Sequence, residues 1–108
     1  MKTFVLLHTT LAGAKHHLNP ATWAKLLPHG TPLDLEFEPE NEFDKNAIRL
    51  MLGSRIKAGY IPATLAPMIG ALLKNGHCVM AEVDDADSSS RNPTVGIALL
   101  MFVAESKQ

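Results

Sequence analysis

A chain of 108 residues, 46% of them hydrophobic, holds apolar material for one core and little room for a second domain, so a single domain is expected. Ten Lys and Arg against eleven Asp and Glu leave a net charge of -1, which excludes a basic coat that grips nucleic acid by bulk electrostatics and confines any such contact to a local surface. The lone cysteine, Cys78, excludes an internal disulfide and a multi-cysteine zinc site, and it points to a reducing, cytoplasmic setting.

Residues 2–8 form a β-type run whose apolar stretch, Phe4 to Leu7, is too short for a secretory segment or a membrane span, so a soluble, unprocessed chain is expected. Thr9 to His17 continues it as the same strand or a second one, with Gly13 as a bend or bulge. Asn19 before Pro20 reads as a helix N-cap, and Pro28 and Gly30 end that short helix. From Leu33 to Glu38 apolar and acidic residues alternate, the period-two pattern of a strand with one buried and one wet face. Ile48, Leu50 and Leu52 repeat that pattern, and Gly53-Ser54 joins them to Arg55–Ile61 as a hairpin. Leu65, Ile69, Leu72 and Leu73 share one helical face, with Pro67 in the first turn and Asn75-Gly76 at the end. His77–Val83 and Thr94–Ala104 read as two more strands, joined by the polar segment 84–93, expected to be a mobile loop. Mainly β with two short helices, the chain suits a small, OB-like, partly closed β-barrel.

Chemistry concentrates in Glu38–Ile48, EPENEFDKNAI, where Asn41, Asp44 and Asn46 are turn formers. Phe43 among them is either a plug at the barrel mouth or a stacking surface for a ligand ring. Asp44 beside it is either a turn residue that accepts its own backbone amides or a ligand contact. Trp23 and Met68, on the helices, read as core. His16 and His17, adjacent on a strand, would point to opposite faces and could not share a metal; His8, His29 and His77 read as surface or turn residues. Acidic residues at 34, 36, 38, 40, 42 and 44 alternate along the chain instead of converging, so neither a metal-dependent nuclease nor another enzyme is expected, and no cofactor.

The run EPENEFDKNAI, followed by AGYIP at Ala58–Pro62 and a short helix ending LLKNG, resembles the HIRAN domain over roughly Leu6 to Val103. The shared core is an acidic residue and proline, an asparagine, then an aromatic residue, aspartate and an asparagine-alanine-aliphatic run. That resemblance implies an OB-like barrel of a family found fused to DNA helicases and remodelling ATPases and also as stand-alone bacterial and phage proteins. The absence of GxxxxGK[ST] makes this chain resemble the stand-alone kind. It further implies a grip on the 3′ end of single-stranded DNA, with Asp44 on the terminal hydroxyl and Phe43 stacking on a base. Lys15, His16 and His17 fall where the family has a basic residue and two aromatic ones, Tyr60 falls where a relative uses histidine, and Phe102 matches a further pocket aromatic. Ala63 stands where many relatives carry a basic residue.

A carboxylate accepts a charge-assisted hydrogen bond from a free 3′ hydroxyl and repels a 3′ phosphate. The acidic stripe would repel the phosphates of a continuing strand, or it is the solvated face of an edge strand. Lys15, Lys45, Arg49, Arg55 and Lys57 are either phosphate contacts near the barrel mouth or ordinary surface charges. The expected function is a non-catalytic DNA-binding module for 3′ hydroxyl ends, in DNA repair or fork processing, working with a helicase or remodelling ATPase in trans and not with a membrane. The alternative is a protein-interaction adaptor that kept the barrel and lost DNA binding.

Overall fold

Alternation of apolar and polar residues becomes sheet along most of the chain in the computed structural model, which describes residues 2–104. The strands are β1 (Lys2–Thr10), β2 (Pro32–Phe37), β3 (Ile48–Leu52), β4 (Ile56–Tyr60), β5 (Cys78–Asp87) and β6 (Thr94–Val103). They form one antiparallel six-stranded sheet in the order β1-β6-β5-β2-β3-β4. Helix α1 (Ala14–His17) follows β1, a 3-10 turn (Pro20–Thr22) leads into α2 (Trp23–Leu26), and α3 (Ala66–Lys74) lies between β4 and β5. The OB-like, mainly β architecture is as expected, with three short helices where the pattern led us to expect two.

The sheet is not closed, yet its two edges meet. Beyond β1 the Leu11 amide donates to Val95 of β6 at 2.9 Å, and the next residue, Ala12, pairs with Tyr60 of β4 through two backbone hydrogen bonds of 2.8 and 3.0 Å. One short segment thus spans from β6 to β4 and curls the sheet around its core. Trp23, Leu27, Leu33, Ile48, Leu50, Ile69, Ile97 and Leu99 are fully buried in that core. Trp23 satisfies its indole by donating to the Leu18 carbonyl at 2.9 Å.

Gly59 makes the edge contact possible. A Cβ there would stand 2.9 Å from the Ala12 carbonyl oxygen and 3.3 Å from the Leu11 Cβ. Gly59→Ala is therefore expected to destabilise by about 1 to 2 kcal/mol through overpacking at the seam. Thermal unfolding checks it, and an unchanged midpoint would mean that the seam yields at no cost.

Four expectations need correction. Lys15, His16 and His17 lie on a helical turn, not a strand: Gly13, at φ +71, reverses the chain just after the seam, Ala14 is buried beneath the turn, and the Leu18 amide donates to the Ala14 carbonyl. A non-local contact has overridden the local pattern. Strand β5 runs on through Asp87, past a bulge at Asp84, so the connection to β6 is only residues 88–93. Met68 is 49% exposed on the outer side of α3 and is not core. The alternation in β2 also breaks at its end: Phe37 is partly exposed, and Glu38 of the acidic stripe is buried.

Candidate nucleic-acid interface

The loop from β2 to β3 is fixed by its own polar side chains. Asn41 Oδ1 accepts from the Phe43 amide at 2.8 Å and from the Asp44 amide at 2.9 Å, while Asn41 Nδ2 donates to Glu38 Oε1 at 3.0 Å. Asp44 Oδ1 in turn accepts from the Asn46 amide at 2.8 Å, and Glu38 N donates to the Ala47 carbonyl. These bonds order a turn that hydrophobic packing does not. They hold Phe43 outward with 96% of its surface exposed, so it plugs nothing.

Ala12, Asn41, Phe43, Asp44, Ala47, Tyr60, Ile61 and Ala63 line a groove of about 180 Å³ beside the seam. It runs into a wider recess of about 500 Å³ that shares Asn41, Phe43 and Tyr60 and adds His17, Glu38, Glu40 and Glu42. Asp44 is half-buried at the groove wall. Both readings of it hold in part: one oxygen caps the turn, and Oδ2 has no hydrogen-bond partner among the described residues.

Beneath the recess lies a charged network that the sequence reading did not single out. Glu38 is only 6% exposed. Its Oε1 accepts from the Tyr60 hydroxyl at 2.6 Å and from Asn41, and its Oε2 lies 2.8 Å from Lys57 Nζ and 3.6 Å from Arg49 Nη1. Burial alone would raise the pKa of Glu38, but bonds from Lys57, Tyr60 and Asn41 prevail and hold it at about 2, against 4.5 for an unperturbed glutamate. Lys57 also donates to the Tyr60 hydroxyl at 2.8 Å, and its own pKa is raised by Glu38 first and Tyr60 second. Tyr60 is locked at its hydroxyl, at its backbone and by the edge of His17, whose ring centre lies 5.3 Å away. Burial and then the Lys57 charge lower the pKa of His17, which favours the neutral imidazole.

The expected site residues divide. His17, Phe43, Asp44 and Tyr60 meet around the groove and recess. Lys15 and His16 line a different cleft beyond α1. Lys45 belongs to a small hollow beside Phe37 and Lys74 under α3. Arg49 is not available to phosphate: it donates to Glu36 at 2.9 Å and lies within 4 Å of Glu38 and Glu40, and its pKa is raised, chiefly by Glu36. Lys57 is likewise committed to Glu38, while Arg55 lies exposed in the β3–β4 turn. Phe102 does not join the site. It pairs with Thr3 and Cys78, six residues along β6 from Gly96, which at about 3.3 Å per residue puts it roughly 20 Å from the seam end of the strand. His8 and His29 both turn their Nδ1 atoms to Asp84, one to its carboxylate and one to its carbonyl.

The register gave one missed signal, since Arg49 pairs directly with Glu36 across the β2–β3 ladder. Nothing local marked Glu38 for burial. The assembled groove offers a flat ring, an apolar wall, one carboxylate oxygen and no cation without a carboxylate partner. It can accept a hydroxyl and a base and is hostile to a phosphate.

The model of the HIRAN domain family matches residues 5–100. The chain is similar to a crystal structure of a protein from Lactobacillus plantarum, with a TM-score of 0.77 and 21% identity over 93% of this chain and 95% of that one. It is also similar to the crystal structure of the HIRAN domain of human HLTF, with a TM-score of 0.71 and 16% identity over 92% of this chain and 78% of that one. At these identities the likeness is one of fold. No curated protein matches the chain in sequence.

Proposed function

This chain belongs to the HIRAN domain family, and from that membership we propose that it is a non-catalytic DNA-binding module whose groove receives the 3′ hydroxyl end of a single strand. The observation that carries the reading is the pairing of a fully exposed Phe43 ring with an Asp44 carboxylate that keeps one oxygen for a ligand. The terminal base stacks on Phe43, and the terminal hydroxyl donates to Asp44 Oδ2. Stacking tolerates any base, so the module reads ends and not sequence. Glu40 and Glu42 at the recess repel phosphates, which disfavours a strand that continues through the site. Such ends arise at stalled forks and breaks, so the role that goes with this reading is in DNA repair or fork processing.

Phe43→Ala tests the stacking platform. With its ring in solvent, the substitution is expected to weaken binding of a short 3′ hydroxyl oligonucleotide by roughly 1 to 3 kcal/mol while leaving the melting temperature unchanged. Fluorescence anisotropy and thermal unfolding measured on the same samples check both halves, and unchanged affinity would remove the ring from the site.

A further inference from the structure

The sheet ends on one side at β1, and between Lys2 and Thr10 no strand among the described residues pairs with its outer edge. We propose that this edge is a self-association surface, on which β1 of a second copy of this chain lies antiparallel about a two-fold axis and joins the two sheets into one. This pairing is independent of what the groove binds.

The edge is competent for pairing. Just past its end Leu11 turns its amide to β6, and Ala12 turns its own outward to Tyr60 of β4. Amides alternate in direction along an antiparallel strand, so those of His8 and Thr10 point outward with that of Ala12. The bulge between Val5 and Leu7 shifts the phase, and before it the amides of Thr3 and Val5 face outward.

The side chains favour a neighbour in the plane of the sheet. The strand, KTFVLLHTT, has one charge, at Lys2, and no proline, although long edge strands are normally blunted by such residues. Phe4, in register with Met101, extends the inner face past the end of the core and is 48% exposed, while Val5, in register with Leu100, lies on the outer face and is 56% exposed. An added strand covers both together, whereas a helix docked on either face covers only one.

Register identifies that neighbour as a second copy. A two-fold axis between Val5 and Leu6 sets Lys2 against Thr9, Thr3 against His8 and Phe4 against Leu7. Outward amides then meet outward amides, at Thr3 and His8, and side chains of the same sheet face stand opposite one another, with Phe4 and Leu7 both on the inner face. No like charges are opposed, and a net charge of -1 per chain leaves little repulsion between copies. Residues 2–9 of each copy, about 27 Å of strand, bury less than a standard interface, so the dimer is weak, with a Kd on the order of 100 μM. The ladder stops at Thr9, short of the Ala12–Tyr60 seam that borders the groove.

Sedimentation equilibrium of the whole chain between about 5 and about 500 μM is the test. The weight-average mass of the wild type is expected to rise from that of one chain most of the way to that of two. Val5→Lys brings two lysines together at the axis and is expected to stay monomeric throughout, with its melting temperature unchanged because Val5 is exposed in the single chain. Cross-linking reads the register. In a Cys78→Ser background, Lys2→Cys with Thr9→Cys is expected to oxidise to a covalent dimer, because these positions face each other across a closely spaced pair, and within one chain they stand too far apart to join. Lys2→Cys with Thr10→Cys, which places the two thiols on opposite faces, is expected to stay uncoupled. A wild type that is monomeric at about 500 μM overturns the proposal and leaves the edge to a strand of another protein. So does an association that survives Val5→Lys, or equal cross-linking by the two cysteine pairs.

Discussion

Glu38→Ala is expected to lower the unfolding midpoint at neutral pH by roughly 12 °C or more. Removing one partner of a buried ion pair costs about 3 to 5 kcal/mol, and each kcal/mol shifts the midpoint of a domain this size by about 4 to 8 °C. The lower end of that range applies, because Lys57 retains 29% side-chain exposure and regains water once its partner is gone. The Tyr60 hydroxyl and Asn41 Nδ2 lose their acceptor in the same step. Glu38→Gln keeps an acceptor for Tyr60 and is expected to fall between wild type and alanine.

Acid supplies the same test without a mutation. Glu38 titrates at about 2 in the fold against 4.5 unperturbed, so over that window the unfolded chain binds more protons than the folded one. Its stabilisation is in full force above about pH 5 and is lost as pH falls toward 2, a change of about 3 kcal/mol. Melts at pH 7 and pH 3 should show wild type losing more stability than Glu38→Gln. Parallel losses would mean that the carboxylate is not the anchor of Lys57 and Tyr60.

Asp44→Asn is expected to remove end selection while leaving the fold intact. The asparagine Oδ1 still accepts from the Asn46 amide, so the turn keeps its cap. At the other oxygen position a charge-assisted bond to the terminal hydroxyl, worth about 1.5 to 3 kcal/mol, becomes a neutral one of about 0.5 to 1.5 kcal/mol. Repulsion of a 3′ phosphate disappears at the same time, and for unit charges about 4 Å apart near a protein surface it is of order 4 kcal/mol. Both changes act in the same direction. The ratio of affinities for 3′ hydroxyl and 3′ phosphate strands should fall at least about tenfold, as measured by anisotropy with a melting control. A folded variant with an unchanged ratio would take Asp44 out of the site.

What was legible in the sequence follows the range of the interactions. Leu33 to Glu38, the Ile48–Ile61 hairpin and the α3 stripe announced themselves because period two and period 3.6 are local patterns, and the strands and helix stand where those patterns put them, save that β2 ends at Phe37 and Glu38 turns inward. The AKHH turn did not, because its geometry is set by Ala12 meeting Tyr60, residues 48 positions apart. Glu38 sits on the polar side of an alternating run, and only the assembly of β2, β3 and β4 brings Lys57, Arg49 and Tyr60 over it. Phe43, Asp44 and Tyr60 could be singled out by residue type and motif, and they do line one groove. Phe102 could not be placed from its type, because an aromatic residue in a core strand reads the same at either end of that strand. The basic residues misled for a related reason: a sequence shows a cation, but whether a carboxylate has already claimed it, as Glu36 claims Arg49, depends on strand pairing.

The most direct measurement of the central claim compares three single strands of equal length and sequence: one with a 3′ hydroxyl, one with a 3′ phosphate, and one closed into a circle with no end. The account predicts that the wild-type protein binds the first at least about tenfold more tightly than either of the others. Equal affinity for all three would contradict it.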